Sequence, residues 1–208
     1  ETNLRCTILL DCSGSMSYAG GDGRRCSKPH YATRLAACLS YLMLQQQDSV
    51  GLVTFDRKLR RYIPPRSRPG HLRVLINEME NARPGGETEL SRVFHDLAPR
   101  FQRRGLLVIL SDCFDDVTSL LRSLAHFRHA RHEVIVFQLW DQDELEFPFK
   151  QWTRFESLES EGVNHLVDPA LLRTAYLDNL EKFRSELKQG CHRHRVELAP
   201  MMTHEPYA

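Results

Sequence analysis

Two apolar runs of strand length, each closed by a carboxylate, constrain most strongly what this chain can fold into. Thr7-Ile8-Leu9-Leu10 ends in Asp11, and Leu106-Leu107-Val108-Ile109-Leu110 ends in Ser111-Asp112. Runs that are apolar at consecutive rather than alternate positions belong to strands covered on both faces, as in the middle of a parallel sheet. Beyond Asp11, the segment Cys12-Ser13-Gly14-Ser15-Met16 sets hydroxyls two and four residues past the carboxylate, with a glycine between them that lets the backbone turn sharply. Such a loop presents oxygen. If Asp11, Ser13 and Ser15 converge, their oxygens suit a small hard cation, which prefers oxygen ligands and keeps some of its waters. Three ligands do not complete an octahedron, so further oxygens have to arrive from other strand ends. Two positions meet that requirement: Thr88, where Pro84-Gly85-Gly86-Glu87 breaks into a helical pattern, and Asp112.

Asp-x-Ser-x-Ser, a later Thr after a Gly-Gly turn and a Ser-Asp at a second strand end resemble the metal-ion-dependent adhesion site of von Willebrand factor type A domains. Within that superfamily, Leu4-Arg5-Cys6 leading into the Asp11 loop, Lys28-Pro29-His30-Tyr31-Ala32 and Gly51-Leu52-Val53-Thr54-Phe55-Asp56 resemble bacterial MoxR-associated proteins of unknown function. The resemblance spans nearly the whole chain. It implies Mg²⁺ or Mn²⁺ held by Asp11, Ser13, Ser15, Thr88 and Asp112. In that scheme Ser13 and Ser15 bind the metal directly, Thr88 and Asp112 directly or through water, and Asp11 largely through water. The competing account is that Asp11, Ser13 and Thr88 only cap helices and turns, as such residues commonly do.

The rest of the chain alternates strand and helix signals. Leu4 to Leu10, Val50 to Phe55, Leu59 to Ile63, Leu106 to Leu110, Val134 to Trp140 and Arg195 to Leu198 read as strands, with Pro64-Pro65 ending the third. Only Asp56-Arg57-Lys58 separates the second and third, which permits an antiparallel hairpin but no parallel crossover. Helical stripes appear after Ser27 (Tyr31, Leu35, Cys38, Leu39, Leu42), at Leu72 to Met79, from near Thr88 (Leu90, Val93, Phe94, Leu97, Phe101) and at Val117 to Phe127. A last helix opens at Asp168-Pro169 and is expected to stop at Gly190, after a short strand pair through 154–158 and 163–167. The expected fold is α/β, a doubly wound, mostly parallel six-stranded sheet with one antiparallel edge strand and helices on both faces, von Willebrand factor A-like. The resemblance implies strand order 3-2-1-4-5-6, which brings Asp11 and Asp112 to neighbouring strand ends at the switch point where such sheets bind ligands. Residues 1–208 read as a single domain, excised from a longer chain because it begins at Glu1 directly before a strand.

Composition narrows the function. With 28 basic and 27 acidic residues the net charge is +1, which argues against a general nucleic-acid surface. The basic pieces Arg57-Lys58-Leu59-Arg60-Arg61 and Arg100-Phe101-Gln102-Arg103-Arg104 read as solvated element ends, and His126, His129, His132, His192 and His194 as surface histidines. Six cysteines without a CxxC pair point to reduced thiols and a cytoplasmic compartment, and no apolar run is long enough for a membrane span. Cys12 and Cys113 each follow a candidate ligand. Small buried fillers are the plainer account of them, and a redox-sensitive pair beside the ion is the sharper one.

The function expected is a divalent-metal-dependent protein interaction module, an adaptor or co-chaperone of a MoxR-type AAA+ ATPase or its client. Two carboxylates and three hydroxyls leave a divalent cation open to an acidic side chain from the partner. The alternative is a Mg²⁺-dependent, phosphoesterase-like hydrolase. No Walker A run or Gly-x-Ser-x-Gly elbow is present, no general base is evident, and Ser13 stands where a haloacid dehalogenase-type enzyme needs its second Asp, so the chain reads as a non-enzyme with no catalytic residue.

Overall fold

The computed structural model describes residues 3–20, 26–86, 89–158, 162 and 164–205. Its strands are β1 (Arg5–Asp11), β2 (Ser49–Phe55), β3 (Leu59–Arg66), β4 (Leu106–Ser111), β5 (Glu133–Trp140), β6 (Thr153–Glu156), β7 (Asn164–Val167) and β8 (Glu197–Met202). Six of them form one sheet in the order β3-β2-β1-β4-β5-β8, all neighbours parallel except the β2–β3 hairpin. The fold is the expected doubly wound α/β sheet, and β1 and β4 lie side by side with Leu10 opposite Leu110. Asp11 and Ser111-Asp112 therefore emerge together from one rim.

Helices cover both faces. Ile8, Leu10, Val50, Leu52, Val108 and Leu110 pack on α1 (Lys28–Gln45) and α2 (His71–Asn81). Leu9, Val53, Phe55, Leu107 and Ile109 pack instead on α3 (Leu90–Leu97), α4 (Val117–His129) and α6 (Pro169–Arg193). Alternate residues of each strand point to opposite faces, so the continuous apolar runs of β1 and β4 supply both cores at once. A short helix, α5 (Gln142–Glu146), follows β5 at the rim, closed by a capping box between Asp141 and Glu144. The antiparallel pair β6–β7 forms a separate two-stranded sheet.

Four details differ from the sequence reading. Pro64 and Pro65 do not end β3, which runs on to Arg66. As an edge strand it can forgo N–H donors, and the register shifts between Val50 and Leu52 to accommodate it. Helix α6 passes through Gly190 because that residue is a packing site: a β-carbon there would lie 2.1 Å from Leu121 Cδ1. Helix α1 is rotated from the expected stripe, burying Lys28, Tyr31, Ala32, Leu35, Ala36 and Ser40 and leaving Cys38 and Leu42 exposed. His132 is buried rather than on the surface.

Candidate metal centre

Asp11 ends β1 almost fully buried. Its Oδ1 accepts from the Ser13 amide at 2.8 Å and its Oδ2 from Ser111 Oγ at 2.5 Å, a bond that ties β1 to β4. Ser13 Oγ and Ser15 Oγ stand 3.2 Å apart, on a loop held by Cys12 N–H to Phe55 O (2.7 Å) and Gly14 N–H to Gly86 O (2.8 Å). Gly14 is obligatory, since a β-carbon would fall 2.0 Å from the backbone oxygen of Leu158, which lies against the loop. The Gly85-Gly86 turn is fastened to Cys12 O by the Gly85 amide, and Arg60 holds the Gly85 carbonyl at 2.8 Å and the Asp56 carboxylate at 2.7 Å. Gly86 adopts φ 82°, which suits a residue without a β-carbon. Thr88 lies outside the described residues.

Asp112 has no exposed surface. Its Oδ1 accepts from the Phe114 amide at 3.2 Å, and its Oδ2 receives Lys28 Nζ at 2.8 Å. The same ammonium reaches Glu144 Oε1 on α5 at 2.6 Å and lies 5.5 Å from the centre of the Phe114 ring. Glu144 is fixed in turn, with Oε2 accepting from the Asp141 amide (2.8 Å) and its backbone carbonyl from Tyr176 Oη (2.8 Å). Cys113 is a non-glycine residue at φ 62°, a conformation that stores strain directly beside Asp112.

The electrostatics follow from this packing. Burial, then the Asp112 charge, raises Asp11 to about 7 against the opposing hydrogen bonds from Ser111 and Ser13. Burial pulls Lys28 down, but Asp112 and Glu144 outweigh it and the lysine remains charged. Burial raises Glu144 more than Lys28 lowers it. Asp112 and Glu144 thus share one ammonium while Asp11 has none in contact, and the three carboxylates outnumber the one lysine when all are ionised.

The structure gathers Asp11, Ser13, Ser15 and Asp112 at one rim, and adds Lys28 and Glu144, which the sequence reading did not assign to the site. A signal for Lys28 existed: it stands three and seven residues before Tyr31 and Leu35, on the apolar stripe of α1, where a buried lysine requires carboxylate partners. Among the described residues no cluster of three or more His, Cys, Asp or Glu side chains forms a metal site. The donors at this rim are two carboxylates and two hydroxyls, an oxygen set that fits a hard divalent cation and not a soft one. A cleft of about 430 Å³ opens beside them, lined by Ser15, Tyr18, Phe114, Glu144, Glu156 and Leu158 among others.

The sharper cysteine reading fails on geometry. Cys12 sits in the core under α1 and Cys113 in the core under α4, on opposite faces of the sheet. Burial raises Cys12 to about 12 and Cys113 well above the ordinary thiol range, and all six cysteines are unbridged.

Strand order and hairpin define a doubly wound α/β domain with a mostly parallel six-stranded sheet and one antiparallel edge strand. The chain belongs to the family described as protein of unknown function DUF58, whose model matches residues 1–186. Among solved structures, the conserved hypothetical protein BatB from Bacteroides thetaiotaomicron superposes with TM-score 0.63 at 13% identity, over 97% of this chain and 91% of that one. An aerotolerance-related membrane protein from Bacteroides fragilis, solved with multiple mutations to serine, gives 0.60 at 17% identity, over 96% and 92%. The VWA domain of SpRpn10 aligns at 0.48 and 12% identity, over 96% and 89%. No curated protein matches the sequence. No helix among the described residues is long and apolar enough to cross a membrane.

Proposed function

We propose that this domain is a divalent-metal-dependent protein interaction module and not an enzyme, with Mg²⁺ or Mn²⁺ held by Asp11, Ser13, Ser15, Thr88 and Asp112. The observation that carries the reading is the convergence of a buried carboxylate pair with the paired hydroxyls of Ser13 and Ser15 on one rim. The bound ion would act as a Lewis acid that accepts a carboxylate oxygen from a partner protein. The chain's own residues do the rest. Ser111 and the Ser13 amide fix both oxygens of Asp11, so its orientation is set before any ion arrives. Lys28 holds Asp112 and Glu144 in place and offsets part of their charge, which keeps the rim from being over-anionic. The neighbouring cleft, walled by Tyr18, Phe114 and Leu158, offers room for a partner side chain beside the ion.

The partner is a MoxR-type AAA+ ATPase or its client, by the resemblance of the Asp11, Lys28 and Gly51 segments to MoxR-associated proteins. This is tested with the purified MoxR-type ATPase of the same genome in a binding titration with Mg²⁺ and with EDTA. Metal-dependent association that is lost in Ser13→Ala supports the reading, and association indifferent to EDTA and to Ser13→Ala overturns it. Turnover of generic phosphoesters that requires Mg²⁺ and Asp11 would favour the hydrolase instead.

A further inference from the structure

The rim just described lies at the carboxyl ends of the parallel strands; a second feature lies at their amino ends, and it does not depend on the first. Arg5 opens β1, and Gly105 and Leu106 open β4 beside it, so close that a β-carbon on Gly105 would lie 2.3 Å from Arg5 O. The segment Arg100-Phe101-Gln102-Arg103-Arg104 crosses this end after α3. Together they enclose a pocket of about 340 Å³ lined by Arg5, Thr7, Tyr62, Arg100, Arg103 and His132 among others.

Two observations mark the pocket as more than a solvated basic surface. First, Arg5, Arg100 and Arg103 line the same pocket and make no ion pair and no side-chain hydrogen bond among the described residues, so no carboxylate offsets their charge there. Guanidiniums that line one pocket without a counter-charge are stabilised by an anion bound in it. Second, His132 is 2% exposed and its Nδ1 lacks a partner within normal hydrogen-bond distance, although the backbone of Phe101 and Gly105 faces the ring and partly satisfies it. A buried nitrogen without a full hydrogen bond is costly, and a ligand oxygen would relieve it. The imidazole is held edge-on by Phe101 and Phe127 at centroid distances of 5.9 and 6.4 Å, so it cannot swing out to water without disturbing the core.

We infer that this pocket is an anion site for a phosphate group, carried by a small phosphorylated molecule or by a phospholipid headgroup. Guanidinium forks match the geometry of phosphate oxygens, and the volume accommodates one or two phosphates but no stretch of helical nucleic acid. His132 is the interior contact, and the arginines close over the ligand from the rim.

The test is calorimetric titration of the intact chain with inorganic pyrophosphate at physiological salt, and flotation with phosphatidylglycerol vesicles. Saturable pyrophosphate binding at Kd below about 1 mM is expected, with at least about a tenfold loss in Arg100→Gln/Arg103→Gln and a measurable loss in His132→Phe, which keeps the packing but not the nitrogen. Arg122→Gln, an exposed arginine on α4, should leave binding unchanged. Vesicle binding that pyrophosphate competes away assigns the headgroup as the source, and pyrophosphate binding without vesicle binding assigns a free phosphate. Absence of both, or an equal loss in Arg122→Gln, overturns the site.

Discussion

At the scale of single residues, Lys28 carries the most weight. It is a fully buried ammonium between two carboxylates, and removing one member of such a cluster leaves the others charged in a poorly solvated place. Lys28→Met should therefore cost about 3–5 kcal/mol in urea denaturation of the metal-free protein; a change under about 1 kcal/mol would show that the cluster adds little. Asp11 gives a pH-dependent counterpart. Its folded pKa is raised to about 7, above its unfolded value, so the native state holds a proton that the unfolded chain has released, and stability from this group falls as pH rises between about 4 and about 7. In EDTA, Asp11→Asn should be more stable than wild type at pH 8, with the gap closing towards pH 4; a gap independent of pH would contradict the assignment. That Asp11, Ser13 and Ser15 share one rim was legible because Asp-x-Ser-x-Ser stands directly after an apolar strand. Lys28 was missed because a lysine at a helix start reads as solvated until the facing α5 is known, and His132 because its spacing from His126 and His129 suggested an exposed face, whereas it lies beyond the end of α4.

At the scale of elements, strand identity was readable from continuous apolar runs and the β2–β3 hairpin from a link too short for a crossover; strand order came only from the family resemblance, and helix rotation and element ends were not readable. The stripe read for α1 included Cys38 and Leu42, yet the helix turns Lys28, Ala32, Ala36 and Ser40 inward, because small residues allow close approach to the sheet and Lys28 has to reach Asp112. Glycine roles depended equally on neighbours invisible in the sequence. Gly51 faces backbone, with a β-carbon 2.7 Å from Ile63 O, whereas Gly190 faces the tip of the Leu121 side chain. Gly51→Ala should thus cost about 1–3 kcal/mol by forcing β3 off β2. Gly190→Ala should cost less, since Leu121 can rotate and a helix gains about 1 kcal/mol on replacing glycine by alanine. Thermal or urea denaturation of both variants decides the ranking, and equal losses would contradict it.

At the scale of the molecule, the sheet separates the two proposed sites by the length of its central strands, about 20 Å for six residues at roughly 3.3 Å each. Asp11, Asp112 and Glu144 stand at the carboxyl end, and Arg5, Arg100 and Arg103 line the pocket at the amino end. Variants at one end should leave the other intact, which makes Arg100→Gln/Arg103→Gln a control for folding when the metal rim is tested. Asp112→Ala is a poor probe, because it also strips Lys28 of a partner; Ser13→Ala/Ser15→Ala removes two neutral oxygens and no charge. The decisive measurement is calorimetric titration of Mg²⁺ into the metal-stripped wild type, into Ser13→Ala/Ser15→Ala and into Arg100→Gln/Arg103→Gln. Saturable binding in the wild type and the arginine variant, with at least about a tenfold loss in the serine variant, is the result predicted for a metal held at this rim. No binding in the wild type, or binding undiminished by loss of both hydroxyls, would contradict it.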